Sequence, residues 1–549
     1  MTGADPVLPG WSAGTPPPQP GLILTWPGPR PILWAPRAHT VDLVLPRPDG
    51  TVERHPMRLV GAHRPGYWGA DDELEDGTAY GFSVDGGPPV PDPCSAVLPD
   101  GLNGYTRAFD AAFDWTDGDW HGVDLTRGVL LHVDVATFTP EGTLDAAAAH
   151  LSRVAELGAS GVELSPIAAF DPDLGPERGV RLLAVHEPYG GPRALQRFVD
   201  AAHGVGLAVV LDAPHRWAVA DSLGLASFGP YSAGTRIGPR RIGARPAAPG
   251  TDSPRINLDG SGSRGPRDFL VADAERWFRD FHVDGMLLDV EALLDRSAIP
   301  FLGELADEVL VLTEQLGRRL TLLTDGPGRS DRLTTAVDRI LAAPGDPTRV
   351  DDLRRLAELV FPGARRAMHQ PSTQRRVQTA TLRASSILVG DLTRLPAAAL
   401  TVPWQATGAS TAPDADGRAC LLTFALLAGT PLVLDTEHVP LTESGPEAVR
   451  MVGWARRLVD LRREIGDEIG LPVEIHGDDH SPIVRRGRTA LVLSASDGTA
   501  VIDLDAALPG GAGAWELVAA WKPGSTSLEK GRLTVPGRST AVLRAHVRP

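Results

Sequence analysis

Two textures of apolar and polar positions alternate along the chain. Near the N-terminus, "LILTWPGPRPILWAPRAHTVDLVLPRPDG" through "GTAYGFSVDGG" swaps apolar and polar residues between Gly, Pro and Asp turn signals. That period of two is the pattern of half-buried strands. It predicts a small all-β domain over residues 22–110, behind a flexible Pro-rich leader at residues 1–21. From about Val129 the texture changes. Continuous apolar runs such as "VLLHVDVATF", "GVELSPI", "LAVVLDAP", "GMLLDV" and "LTLLTD" alternate with helix-length stretches such as "TLDAAAAHLSRVAEL" and "PRALQRFVDAAHGVG". Strands that are apolar on both faces and separated by helices are the mark of parallel βαβ units. Enough of them recur over residues 125–445 to predict a (β/α)8 barrel. "EAVRMVGWARRLVDLRREIG" predicts an amphipathic linking helix within residues 446–470, and alternation returns in "TALVLSA" and "TAVLRAHV", predicting a second β domain over residues 471–549. The expected fold class is therefore α/β, a (β/α)8 TIM barrel flanked by an N-terminal β-sandwich and a small C-terminal β domain.

Composition narrows the partners. The 549 residues exceed what one core usually serves, which fits several domains. With 42% hydrophobic and 22% charged residues the chain is of the folded, globular kind. A formal charge of −16 argues against nucleic acid and anionic membrane faces, which select basic surfaces. Cys94 and Cys420, the two cysteines, have neither disulfide-framework nor metal-ligand spacing. No secretory signal and no long apolar run is evident, so a cytoplasmic protein without a membrane span is expected. P-loop, dinucleotide and nucleophile-elbow motifs are absent from the sequence.

Several segments carry a family likeness: "WAPRAHTVDLVL", "GTAYGFSVDGGPPVPDP", "TFTPEGTLDAA", "HEPYGGPRALQRFVDAAHGVGLAVVLD", "FGPY", "INLDG", "FHVDGMLLDVEALLDRSAIPFLGELADEV" and "AGTPLVL". In kind and order they resemble maltooligosyltrehalose trehalohydrolase, of the α-amylase superfamily of retaining glycoside hydrolases. The resemblance implies a glucan-associated, Ig-like N-terminal β-sandwich and an amylase-type barrel. It also implies action on α-linked glucosyl units in trehalose biosynthesis, without metal or organic cofactor. The implied partner is an α-glucan or maltooligosyltrehalose-like saccharide, or an enzyme of the trehalose pathway.

Retention requires a carboxylate nucleophile and a proton-donating carboxyl group about 5 to 5.5 Å apart. Where the family pattern reads G-L-R-L-D and then A-V-H, this chain has Gly285, Met286, Leu287, Leu288, Asp289, then Val290, Glu291, Ala292. Asp289 holds the nucleophile position. Leu287 replaces the Arg beside it, a change expected to raise the pKa of Asp289 and weaken it. Glu291 is new at the strand end, where it reads either as a substitute acid or as an ordinary helix-start charge. At the acid/base position the family's T-L-I-A-E-S becomes Thr321, Leu322, Leu323, Thr324, Asp325, Gly326, so Asp325 is one methylene short. The third carboxylate, in a Q-N-H-D segment of the family, falls at Gly408 after Gln405, Ala406 and Thr407, with Asp414 or Asp416 as substitutes only if the loop is rebuilt.

On the earlier strand, where the resemblance aligns D-V-V-Y-N-H, Asp212 is kept while His215, Arg216 and Trp217 replace Tyr, Asn and His. Asp212, His215, Trp217 and Glu291 are the expected substrate-binding residues. The Tyr-Asp pair ahead of "HEPYGG" falls at Glu177 and Arg178. His186, Glu187 and Tyr189 read as shapers of a βα loop, and His282 and Asp284 as structural residues at a strand start. Trp34, Trp68, Trp115 and Trp120 read as core or interface residues rather than sugar platforms. The scaffold segments are intact while the positions around the reacting sugar depart from the pattern. A catalytically degenerate member, a pseudoenzyme that binds a glucan or a partner, is therefore expected ahead of an active hydrolase using Asp289 and Asp325. A third reading uses Glu177, Glu291 or His215 in a rebuilt pocket.

Overall fold

The computed structural model describes residues 30–60, 65–125, 128–173, 175–176, 179–220, 223–235, 254–324, 415–426, 432–435, 445–466, 468, 473–478, 481–494, 496–508 and 515–546. Two antiparallel sheets open the chain. Strands β1 (Ile32–Trp34), β2 (Val41–Pro46), β3 (Val52–Pro56), β4 (Arg58–Leu59), β5 (Tyr67–Gly69), β6 (Ala79–Val84) and β7 (Thr106–Arg107) form one sheet in the order β3-β2-β6-β7 and another in the order β1-β5-β4. Leu33, Leu43 and Phe82 are fully buried in their core. The edge strand β3 is mostly exposed and charged, a composition that discourages pairing with another chain.

A parallel sheet follows. Its members are β8 (Val129–Val133), β9 (Gly161–Leu164), β12 (Ala208–Ala213), β15 (Gly285–Leu288), β16 (Thr321–Thr324) and β17 (Leu432–Asp435), in the order β16-β15-β12-β9-β8-β17. Two short antiparallel pairs lie between them in sequence: β10 (Ala168–Phe170) with β11 (Val180–Val185), and β13 (Ser232–Thr235) with β14 (Pro254–Ile256). Helices α1 (Val135–Phe138), α2 (Leu144–Ala148), α3 (Leu151–Leu157), α4 (Gly191–Gly204), α5 (Arg264–Arg279), α6 (Val290–Leu293) and α7 (Phe301–Leu316) occupy the connections. Side chains alternate across each strand. On β12, Val209 and Leu211 join the large core, while Ala208 and Val210 join a separate inner cluster with Leu125, Leu130 and Leu323. Leu287 packs against that inner cluster too.

The linker from the N-terminal sheets stoppers the base of this sheet with polar bonds. Trp120 donates through Nε1 to Asp284 Oδ1 at 2.7 Å, and Asp284 Oδ2 accepts from the Val209 amide at 2.8 Å. His203 lies between two carboxylates, its Nε2 2.9 Å from Asp284 Oδ2 and its Nδ1 2.7 Å from Asp117 Oδ2. His282 Nδ1 reaches the same Asp117 oxygen at 2.8 Å. Trp115 stacks on His282 and Trp120 on His203. His282 and Asp284 are thus structural residues ahead of β15, as the sequence suggests, and these two Trp rings are interface residues.

The N-terminal sheets dock on α5. Trp34 lies over Gly265, where an added Cβ would sit 2.2 Å from the indole Cε2, so only glycine permits this approach. Tyr67 donates to Asp268 Oδ2 at 2.9 Å. The C-terminal region has a five-stranded sheet, β18 (Val473–Asp478), β19 (Ser481–Arg486), β20 (Thr489–Ser494), β25 (Ser539–Ala545) and β22 (Trp515–Ala520), and a three-stranded one, β21 (Ala500–Asp503), β24 (Arg532–Val535) and β23 (Ser527–Glu529). It is tied to helix α8 (Ala415–Leu426) through Asp416, which accepts from Trp521 Nε1 at 2.6 Å and Lys522 Nζ at 2.8 Å. Helix α9 (Pro446–Ile465) adds Arg450, whose guanidinium stacks 3.7 Å from the Trp521 ring centre. No helix among the described residues is long and apolar enough to cross a membrane.

Candidate active site

Strand β15 is a four-residue apolar run that ends at Asp289, on the C-terminal side of the parallel sheet, where barrel enzymes carry their chemistry. Asp289 also stands at the N-cap of α6, yet its side chain makes no capping bond there. The carboxylate is instead gripped from the side. Arg216 donates from Nε to Asp289 Oδ2 at 2.5 Å and from Nη2 to Oδ1 at 2.8 Å. This two-pronged, charge-assisted geometry is the strongest contact a carboxylate commonly makes. Asp289 is 8% exposed, while the Arg216 side chain remains 43% exposed, so the guanidinium covers the carboxylate on its open side.

This contact corrects the expectation built on Leu287. Leu287 does sit on β15 without charge, opposite Asp212 in the β12–β15 register. The missing cation has been supplied from the neighbouring connection: Arg216 lies in the single 3₁₀ turn His215–Trp217 that follows β12. Leu287 therefore does not leave Asp289 without a cationic neighbour. Sequence reasoning recorded Arg216 only as a replaced Asn, because nothing local indicates which way its side chain reaches.

The other residues of that turn face inward. His215 is 2% exposed, and its Nε2 lies 3.7 Å from Asp273 Oδ2 on α5. Burial pushes the His215 pKa down to about 4, against the opposing pull of the Asp289 charge. Burial likewise pushes Asp273 up to about 7, although Trp277 Nε1 donates to its Oδ1 at 2.8 Å. A cavity of about 10 Å³ lies beside the pair, bordered by Leu211, Ala213, Pro214, Trp277 and Met286, which is room for about one water. A ring sealed in this way is not available to a saccharide. Trp217 is partly buried and packs against the large core.

The described residues hold only part of the predicted set. Asp325 lies outside the described residues, as do Glu177, Arg178, Asp414 and the segment Gln405 to Gly408. The Glu291 side chain is likewise outside them, although its backbone belongs to α6. Asp416 is committed to Trp521 and Lys522. His186 stacks on Phe170 at 4.1 Å and meets Tyr189 edge-on at 4.8 Å, and burial pushes its pKa down to about 4. That is the loop-shaping role expected of it.

A second polar group on this side of the sheet escaped sequence reasoning. His132 on β8 lies 3.4 Å from Glu163 on β9 and 3.1 Å from Ser165 just beyond it. The signal was a polar residue at same-face positions inside two otherwise apolar strands, which reads as strand before it reads as site. Among the described residues, no group of three or more His, Cys, Asp or Glu is placed to hold a metal ion.

Comparison with known proteins places this geometry. No family model matches the chain. Solved structures show the fold. An apo pullulanase of Paenibacillus barengoltzii superposes over 94% of this chain and 92% of its own, with a TM-score of 0.65 at 16% identity. A pullulanase of Anoxybacillus in complex with maltotetraose covers 94% of this chain and 86% of its own, with a TM-score of 0.65 at 13% identity. The fold is that of the α-amylase family, a TIM barrel with flanking β domains. The sequence relatives are more particular. Malto-oligosyltrehalose trehalohydrolase of Arthrobacter ramosus is 41% identical over 299 residues, 53% of this chain and 49% of the relative. The enzyme of that name from Mycobacterium tuberculosis is 35% identical over 310 residues, 55% of this chain and 50% of the relative. The chain thus spans about half the length of the curated relatives it matches, and over that span it is homologous to malto-oligosyltrehalose trehalohydrolases.

Proposed function

We propose that the chain is a trehalohydrolase-like protein that binds an α-glucan at the open end of the barrel and hydrolyses it weakly or not at all. One observation carries this reading: both oxygens of Asp289 are engaged by Arg216. A retaining nucleophile must present an oxygen lone pair to the anomeric carbon. Here each oxygen already holds a charge-assisted bond, worth roughly 1.5–3 kcal/mol, which draws charge away from the lone pair left for attack. The sequence departure at Gly408 points the same way, since it removes a carboxylate that the resemblance places at the reacting sugar, and Asp325 is one methylene short at the acid/base position. Glucan binding draws support from the fold relatives, which include pullulanases solved with maltohexaose and with maltotetraose.

The test is to incubate the full chain with maltooligosyltrehalose and assay trehalose release, with Asp289→Asn as control, and to titrate it with maltohexaose by calorimetry. Heat of binding without release is the expected result. Release that disappears in Asp289→Asn would overturn the proposal, and absence of binding to either saccharide would remove the glucan from it.

A second reading has its own support in the same contact. Arg216 restores a positive charge beside Asp289, as an active retaining hydrolase with Asp289 as nucleophile and Asp325 as acid/base would require. The two readings part at Arg216→Ala. The substitution abolishes trehalose release if Arg216 serves as the nucleophile's cation, and leaves it unchanged or raises it if Arg216 caps an idle carboxylate.

A further inference from the structure

Three polar side chains meet where β8 and β9 end. His132 and Glu163 are direct partners across the parallel ladder, and Ser165 follows Glu163 two residues on, so all three share a face. His132 Nδ1 is 3.4 Å from Glu163 Oε1, and His132 Nε2 is 3.1 Å from Ser165 Oγ. Glu163 is 2% exposed, whereas His132 and Ser165 are only half-buried. The carboxylate is the most buried of the three; the hydroxyl is hydrogen-bonded to one ring nitrogen, and the other approaches the carboxylate as a charge contact without a hydrogen bond. A hydroxyl, a base within hydrogen-bond reach and a third group that orients the base are the parts of an activated nucleophile. The carboxylate–imidazole spacing is loose, as such contacts often are before a substrate is bound. A mere strand-end fastening would use the same hydroxyl–imidazole bond but would leave Ser165 as inert as any other serine.

We infer that Ser165 is a reactive serine, activated by His132 and oriented through Glu163, that takes up the acyl group of a carboxylic ester at the open end of the barrel. Ser165 Oγ attacks the ester carbonyl carbon and passes its proton to His132 Nε2. The ester C–O bond breaks, the imidazolium returns the proton to the departing alcohol, and the acyl group remains on Oγ. No oxidant or further reactant is needed. The Ser165 amide donates to the Val133 carbonyl at 3.0 Å, so it is not free to stabilise the oxyanion. Loss of one such donor typically costs on the order of 100- to 1,000-fold. The second half of the reaction, attack by water on the acyl-serine, is slowed by the same deficit. The expected product is a lasting acyl-serine, a modification site rather than a fast esterase.

The experiment incubates the full chain with p-nitrophenyl acetate, and separately with a fluorophosphonate probe, and maps adducts by peptide mass spectrometry. The expected result is a single burst of p-nitrophenol, with the acetyl and phosphonyl groups on Ser165 in preference to surface serines such as Ser227. His132→Gln should slow labelling on the order of 100-fold, the usual worth of a positioned base. In the wild type labelling should rise with pH as the imidazole gives up its proton, and that rise should vanish in His132→Gln. Wild-type protein whose Ser165 is labelled no faster than its surface serines would overturn the inference without recourse to any variant. So would equal labelling in a His132→Gln variant that keeps its melting temperature.

Discussion

Arg216 and Asp289 form a forked ion pair across the two neighbouring strand ends β12 and β15, with contacts of 2.5 and 2.8 Å. The pair spans a buried carboxylate and a half-exposed guanidinium, so its loss should cost less than that of a fully buried pair. Arg216→Ala is expected to lower stability by about 1–2 kcal/mol. Arg216→Lys should recover part of this, because it keeps the charge and loses the fork. Urea unfolding of the two variants beside the wild type measures the difference, and identical midpoints for all three would show the pair to be energetically idle.

At the base of the barrel, His203 is enclosed by Asp117 and Asp284. Removing the ring takes one hydrogen bond from each of two buried carboxylates, which keep Trp120, the Val209 amide and His282 as their remaining partners. His203→Ala should therefore destabilise by roughly 2–4 kcal/mol. The linker carrying Trp115 and Trp120 should also become more susceptible to limited proteolysis, because Trp120 stacks on this ring.

Gly265→Ala introduces a Cβ into the Trp34 indole. Overpacking of this kind costs typically about 1–3 kcal/mol. The strain falls on the contact between the N-terminal sheets and α5, so the expected signs are a lower melting temperature and a shifted tryptophan emission maximum. Unchanged emission with unchanged melting would mean that the sheets can withdraw from α5 without loss.

The pH dependence of stability follows from three buried groups. His186 and His215 are pushed down to about 4, whereas an unfolded imidazole titrates near pH 6.5. Their contribution is present above about pH 6.5 and is lost as pH falls towards 4, where only the unfolded chain takes up the protons. Asp273, raised to about 7 from an unfolded value of about 3.9, acts in the opposite sense. Its contribution is complete below about pH 3.9 and is lost as pH rises through 7. His186→Phe should flatten the acid side of a melting-temperature profile. Asp273→Asn should raise the melting temperature more at pH 8 than at pH 5, and an equal change at the two values would rule out this titration.

The barrel strands were legible because each is a continuous apolar run, a local property that survives without knowledge of its neighbours. For the same reason Asp289 is legible as a residue at a strand end, whereas the contacts of His282, Asp284 and Trp120 join segments far apart in sequence. The turn His215–Trp217 was not legible in this way. Its three consecutive residues divide between a sealed interior, a carboxylate on the next strand and the core, and no sequence pattern assigns such directions.

What the sequence determined by itself is the succession of strands and helices, and with it the depth at which Asp289 emerges, since both follow from periodicities of two and 3.6 residues. The tertiary structure alone decided which charge meets that carboxylate. Arg216 and Asp289 are 73 residues apart, and His132 and Ser165 are 33 apart. Each pair meets only because the parallel register sets neighbouring strand ends at matching heights, and that register is fixed by packing between whole strands and helices rather than by any stretch of residues along the chain.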